Sequence, residues 1–131
     1  MYKAIEHQLG LQGVREYAVD DLRRLVSDAL RKNRTDYLPF LTSSSNRDEL
    51  MGDEEFERYC ADVVGARKWG GNLELQIISK AISVDVHVYQ ADGPVIKFES
   101  EKSTLGRPLL ISFHKYLYQL GGHYNSLVKT C

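Results

Sequence analysis

The feature that most constrains this chain is a change of hydrophobic period near Val84. Before it, apolar residues recur every three or four positions, as on one face of a helix. From Val84 onward, Val84, Val86 and Val88 alternate with Asp85, His87 and Tyr89, as on a half-buried strand. Helical patterning followed by strand patterning can bury both sets of apolar residues by packing helices against a sheet. The order therefore predicts an α+β domain.

Four helices are expected upstream. Met1, Ala4, Ile5 and Leu9 share a face until Gly10 and Gly13 end the run, and the chain opens inside this helix with no N-cap of its own. In the second, Val19, Leu22, Val26, Ala29 and Leu30 oppose Asp21, Arg23, Arg24, Asp28, Arg31 and Lys32. The interleaving of Asp20, Asp21 and Asp28 with the basic residues marks a solvated helix face rather than a nucleic-acid patch. Asp53 is the expected N-cap of a third helix with Phe56, Tyr59, Cys60, Val63 and Val64 on one face and Gly65 at its end. Trp69-Gly70-Gly71 then turns the chain, and Asn72 caps a fourth helix that points Leu73, Ile77, Ile78, Ala81 and Ile82 inward. The polar run from Thr42 to Asp48 reads as an exposed loop. Strands follow at 95–98, 108–113 and 124–128; the second is apolar enough to be central, and the last begins at His123.

Length and charge narrow the function. The 131 residues suffice for one domain. Seventeen basic residues against eighteen acidic ones leave a net charge of -1, which provides no field for nucleic acid or anionic lipid. No apolar run reaches a membrane span and the start lacks a signal-peptide core, so a cytoplasmic monomer without membrane contact is expected. Cys60 and Cys131 are too few for a disulfide framework and lack metal-ligand spacing. Free thiols are expected, with no metal and no cofactor.

Two motifs stand out: Trp69-Gly70-Gly71-Asn72-Leu73-Glu74-Leu75, and Gly121-Gly122-His123-Tyr124-Asn125-Ser126 near the end. By itself a Gly-Gly-His-Tyr-Asn string is more often a turn entering a strand. Together with Met1-Tyr2-Lys3-Ala4-Ile5, Tyr37-Leu38-Pro39-Phe40-Leu41 and the Glu55-Phe56 to Tyr59-Cys60 helix, the motifs resemble the OTU (ovarian tumour) family of cysteine deubiquitinases. Within that family the branch called OTU domain-containing protein 6 is the most similar, and the resemblance runs along almost the whole chain.

The resemblance implies an OTU-like cysteine-protease fold, with helices packed on a small, mainly antiparallel sheet, and ubiquitin or polyubiquitin chains as partner. It implies that His123 is the general base and acid, and that Asn125 orients its ring. Residues two apart on a strand share a face, so the pair can meet side by side. Asparagine holds a ring in place but adds no charge to stabilise imidazolium, which a thiolate partner tolerates. The family's nucleophile belongs to an Asp-Gly-x-Cys motif just before the first helix, a helix N-terminus where a thiol pKa is lowered. That position falls immediately before Met1, so residues 1–131 are expected to be an OTU-like domain truncated at its N-terminus. Such a chain is expected to be inactive; the alternatives are a non-catalytic ubiquitin-binding module or a truncated fragment.

Neither cysteine is an expected substitute. Cys131 lies eight residues beyond His123, about 26 Å along an extended strand, and Cys60 lies on an apolar helix face. His7 and His114 are expected in surface or satisfied roles and His87 at a rim, while Trp69, Gly70 and Gly71 are expected to be structural.

Overall fold

The computed structural model describes residues 1–41, 51–65, 71–91, 93–114 and 123–127, with Phe40 and His123 described by their backbones alone. The Thr42 to Asp48 loop, Trp69, Gly70, Gly121, Gly122 and Cys131 lie outside the described residues.

The helical patterning yields α1 (Tyr2–Leu11), α2 (Val19–Lys32), α4 (Asp53–Val64) and α5 (Asn72–Ile82), all close to their expected bounds. Between them the structure adds a four-residue helix α3 (Arg34–Tyr37) and a 3-10 turn at Leu38–Phe40. Pro39 sits inside that turn, within the first two positions that tolerate it. α2 buries Leu22, Val26 and Leu30 completely and turns its charges outward, as its period requires. It packs on α4 through polar as well as apolar contacts. Ser27 Oγ donates to the Cys60 carbonyl at 3.0 Å, and Arg23 Nη1 donates to the Val63 carbonyl at 3.0 Å. Arg34 adds an ion pair to Asp53.

The caps differ by one residue from expectation. Gly52, with an extended backbone, precedes the first helical residue Asp53, so Asp53 sits in the acidic first turn beside Glu54 and Glu55. Gly71 likewise precedes Asn72, and its N–H donates at 3.0 Å to the carboxylate of Glu74, three residues on. The cap of α5 is thus a glutamate reaching back, one half of a capping box. On α5, Leu75 is fully buried, Leu73 and Ile82 are half-buried and Ala81 is exposed. The inward face is therefore turned toward Glu74, Leu75, Ile77, Ile78 and Ser79.

Four strands, β1 (Val86–Gln90), β2 (Ile96–Phe98), β3 (Leu109–His114) and β4 (His123–Ser126), form one sheet in the order β2-β1-β3-β4. Both outer pairings are antiparallel, as the expectation of a mainly antiparallel sheet requires, whereas the central pair β1–β3 is parallel. Parallel neighbours need a crossover. Here β2 and the segment 99–108 supply it, and Asp85 holds the return. Ser100 N–H donates to its carboxylate at 2.8 Å, and Leu109 N–H donates to its carbonyl at 2.8 Å. Ser83 ends α5 in the left-handed region (φ 56°), which leaves its carbonyl free to accept from Thr104 N–H at 2.8 Å.

Val84, Val86 and Val88 of the alternating run are all buried, facing Leu109 and Ile111 along β3 and the helices above. The expected central strand, β3, is indeed flanked on both sides. No helix among the described residues is long and apolar enough to cross a membrane.

Candidate functional site

β4 carries both of the residues singled out in the sequence. Its register pairs His123 with His114 and Asn125 with Ser112. Strand alternation assigns His123 and Asn125 to the same set of positions, with Tyr124 opposite. Asn125 is exposed, and the description of His123 stops at its backbone. Tyr124 packs on Phe113 across the strand pair, ring centroids 4.9 Å apart at 44°. Burial, and then the charge of Glu74, raise its phenol above the usual tyrosine value.

Glu74 lies in the first turn of α5. It is 4% exposed and accepts hydrogen bonds from Tyr59 Oη and from Gly71 N–H. Its charge also raises the phenols of Tyr2 and Tyr59, after the larger effect of burial on each. Arg23 lies 4.3 Å over the Tyr2 ring and offsets part of the shift on Tyr2. Helix α1 packs on β4, and its first turn carries the buried Tyr2. That turn begins at Met1 with no side-chain cap. Its leading N–H groups are the kind that stabilise an anion such as a thiolate.

Farther along, α1 reaches the other end of β4. Ser126 Oγ lies 2.6 Å from His7 Nδ1, and Gln8 Nε2 donates to Ser126 Oγ at 2.7 Å. His114 finds its partner in Ser112 Oγ, 2.9 Å from its Nε2. His87 is half-buried in a cleft of about 430 Å³ whose walls include Leu11, 50% exposed, and Tyr89, 41% exposed. Cys60 has no exposed surface, and burial pushes its thiol up, the reverse of what a nucleophile needs. Among the described residues no cluster of three or more His, Cys, Asp or Glu is placed to hold a metal ion.

The family model of the OTU-like cysteine proteases matches residues 1–124. The chain belongs to the OTU family. It is 41% identical over 127 residues to the deubiquitinase OTUD6B of Xenopus laevis, an alignment covering 97% of this chain and 42% of that protein. Ubiquitin thioesterase otu2 of Schizosaccharomyces pombe is 30% identical over 128 residues, covering 98% of this chain and 41% of its own length. The chain therefore spans less than half the length of these curated relatives. In three dimensions it is similar to an ovarian tumour (OTU) domain solved in complex with ubiquitin. The TM-score is 0.66 at 25% identity, over 95% of this chain and 60% of the other. Within the OTU family the OTU domain-containing protein 6 branch, to which the OTUD6B relative belongs, matches over nearly the whole chain.

Two buried polar residues that tie these elements together, Glu74 and Gln8, were not among the expected site residues. Glu74 had a signal, since a glutamate at the third helical position is the reciprocal half of a capping box. Gln8 had a subtler one, a polar residue set between Ile5 and Leu9 on the apolar face of α1, where the structure leaves it only 4% exposed.

Proposed function

We propose that this chain is the ubiquitin-recognising and base-bearing portion of a cysteine-type ubiquitin hydrolase. In the reaction a thiolate attacks the isopeptide carbonyl at ubiquitin's C-terminus, and His123, as imidazolium, gives its proton to the departing lysine amine. The resulting thioester is hydrolysed by a water that His123 deprotonates, and the thiol is released. Asn125 holds the ring in orientation through this cycle. In this reading the buried Cys60 does not serve as the thiolate, and residues 1–131 contribute the base and the ubiquitin-binding surface.

The observation that carries this reading is the register of β4, with His123 and Asn125 two residues apart on a strand whose end is hydrogen-bonded to α1 through His7 and Gln8. The family match over residues 1–124 and relatives named as deubiquitinases support it. Titrating the chain with mono- and diubiquitin is expected to give saturable binding, and no interaction at high micromolar concentration would refute it. A chain extended upstream by an Asp-Gly-x-Cys segment is expected to react with an electrophilic ubiquitin probe. His123→Ala should abolish that labelling.

A further inference from the structure

Helix α1 meets the strand pair β3–β4 at a buried carboxamide. Gln8 Oε1 accepts from Leu110 N–H at 2.9 Å, while Gln8 Nε2 donates to the Leu127 carbonyl at 2.6 Å and to Ser126 Oγ at 2.7 Å. Both N–H groups of the amide and its oxygen are therefore in use. The placement is unusual for a side chain. Ile111 pairs with Ser126, so the next pair along the antiparallel ladder is Leu110 with Leu127. Such a pair normally exchanges two backbone hydrogen bonds. One is made, from Leu127 N–H to the Leu110 carbonyl at 2.9 Å. The donor and acceptor of the other, Leu110 N–H and Leu127 C=O, both bond to Gln8. The carboxamide stands between them and holds the strands apart at this end.

We propose that Gln8 is a positioning residue for the hydrolase reaction, setting where β4 stands relative to α1. It rests on the reading of β4 as the strand that carries the base. The physical grounds are the directness of the coupling and the tightness of its surroundings. The two residues that Gln8 grips, Ser126 at the end of β4 and Leu127 just beyond it, are one and two positions from Asn125, and a strand transmits displacement along its length with little give. A misplacement of about 1 Å between reacting groups costs on the order of a hundredfold in rate. His7 extends the grip, because its Nδ1 lies 2.6 Å from the same Ser126 Oγ that Gln8 bonds. Two consecutive residues of α1 thus hold the end of the strand that carries Asn125.

The test uses the 131-residue chain, labelled with ¹⁵N, and its Gln8→Met variant, which keeps the length of the side chain and removes the amide. Two signals are followed by NMR without ubiquitin: amide exchange along the sheet, and the resonances of the His123 ring and the Asn125 carboxamide. Exchange at Asn125 and Leu127 is expected to speed up about tenfold, the factor for one net hydrogen bond. The amide of Ile111, which faces β1, should keep its rate, and the His123 and Asn125 resonances should move. A folded variant with unchanged His123 and Asn125 resonances overturns the positioning role. If Gln8→Met unfolds, or loosens the whole sheet evenly, Ser126→Ala decides. That variant removes one of the three contacts, and movement of the same two resonances upholds the proposal while silence overturns it. Failure of ubiquitin to bind would sink the function proposed above and leave this result intact.

Discussion

Glu74 offers the sharpest quantitative test of how the site is held. Replacing it by Ala removes the acceptor of Tyr59 Oη and of Gly71 N–H together, at a position only 4% exposed. A hydrogen bond to a charged acceptor contributes about 1.5–3 kcal/mol. Loss of a helix cap costs about 1 kcal/mol. Because Tyr59 is half-buried, its phenol recovers some hydration in the variant, which favours the lower end of the range. Glu74→Ala is therefore expected to cost about 3 kcal/mol, read as a shift of the urea midpoint at pH 7 with unchanged slope. Tyr59→Phe removes one of the two bonds and should cost about 1.5 kcal/mol. Combined with Glu74→Ala, it should show a coupling of about 1–2 kcal/mol. A loss below about 0.5 kcal/mol for Glu74→Ala, the scale of an unimportant surface change, would refute the assignment. So would additivity of the two substitutions.

Two further predictions follow from burial. Burial first, and the charge of Glu74 second, hold the Tyr2 and Tyr59 phenols above their ordinary value of 10.0 in the folded chain. The stability this represents is complete below pH 10 and is lost as pH rises above it, because the unfolded chain ionises first. The ceiling is about 1.4 kcal/mol per pH unit for each tyrosine. Solvent screening reduces the share of half-buried Tyr59, so the pair should cost about 2 kcal/mol between pH 10 and pH 11. The urea midpoint should fall over that interval and fall less in Tyr59→Phe, whereas a flat profile would count against the buried cluster. Cys60, fully buried with its thiol pushed up, should react with iodoacetamide only as fast as the chain unfolds. Immediate modification in the native state would contradict its place in the core.

Much of the fold was legible because local pattern and tertiary burial agree. The 3.6-residue stripe of Leu22, Val26 and Leu30 and the alternation of Val84, Val86 and Val88 each describe one buried face, and the structure buries every one of them. The caps were read one residue late. An N-cap is defined by backbone geometry, and Gly52 and Gly71 adopt the extended conformation that Asp53 and Asn72 were expected to hold. The inward face of α5 was also misjudged at Ala81. Leu75 and Glu74 lie a small rotation away from the expected stripe, and a buried glutamate is read as polar surface until its partners are known.

What the sequence determined by itself was the change from helix to strand at Val84, the core faces, and the two-residue spacing of His123 and Asn125 along one strand. Each depends on neighbours within a few positions, where the period of the backbone decides which side chains share a face. Tertiary structure alone decided that β1 and β3 run parallel, that the Glu74 carboxylate of one helix accepts from Tyr59 of another, and that Gln8 divides a strand pair more than a hundred residues away. Those choices belong to contacts between distant segments. A buried polar group must find its partner wherever the fold brings a donor or acceptor into reach, and no local periodicity records where that will be.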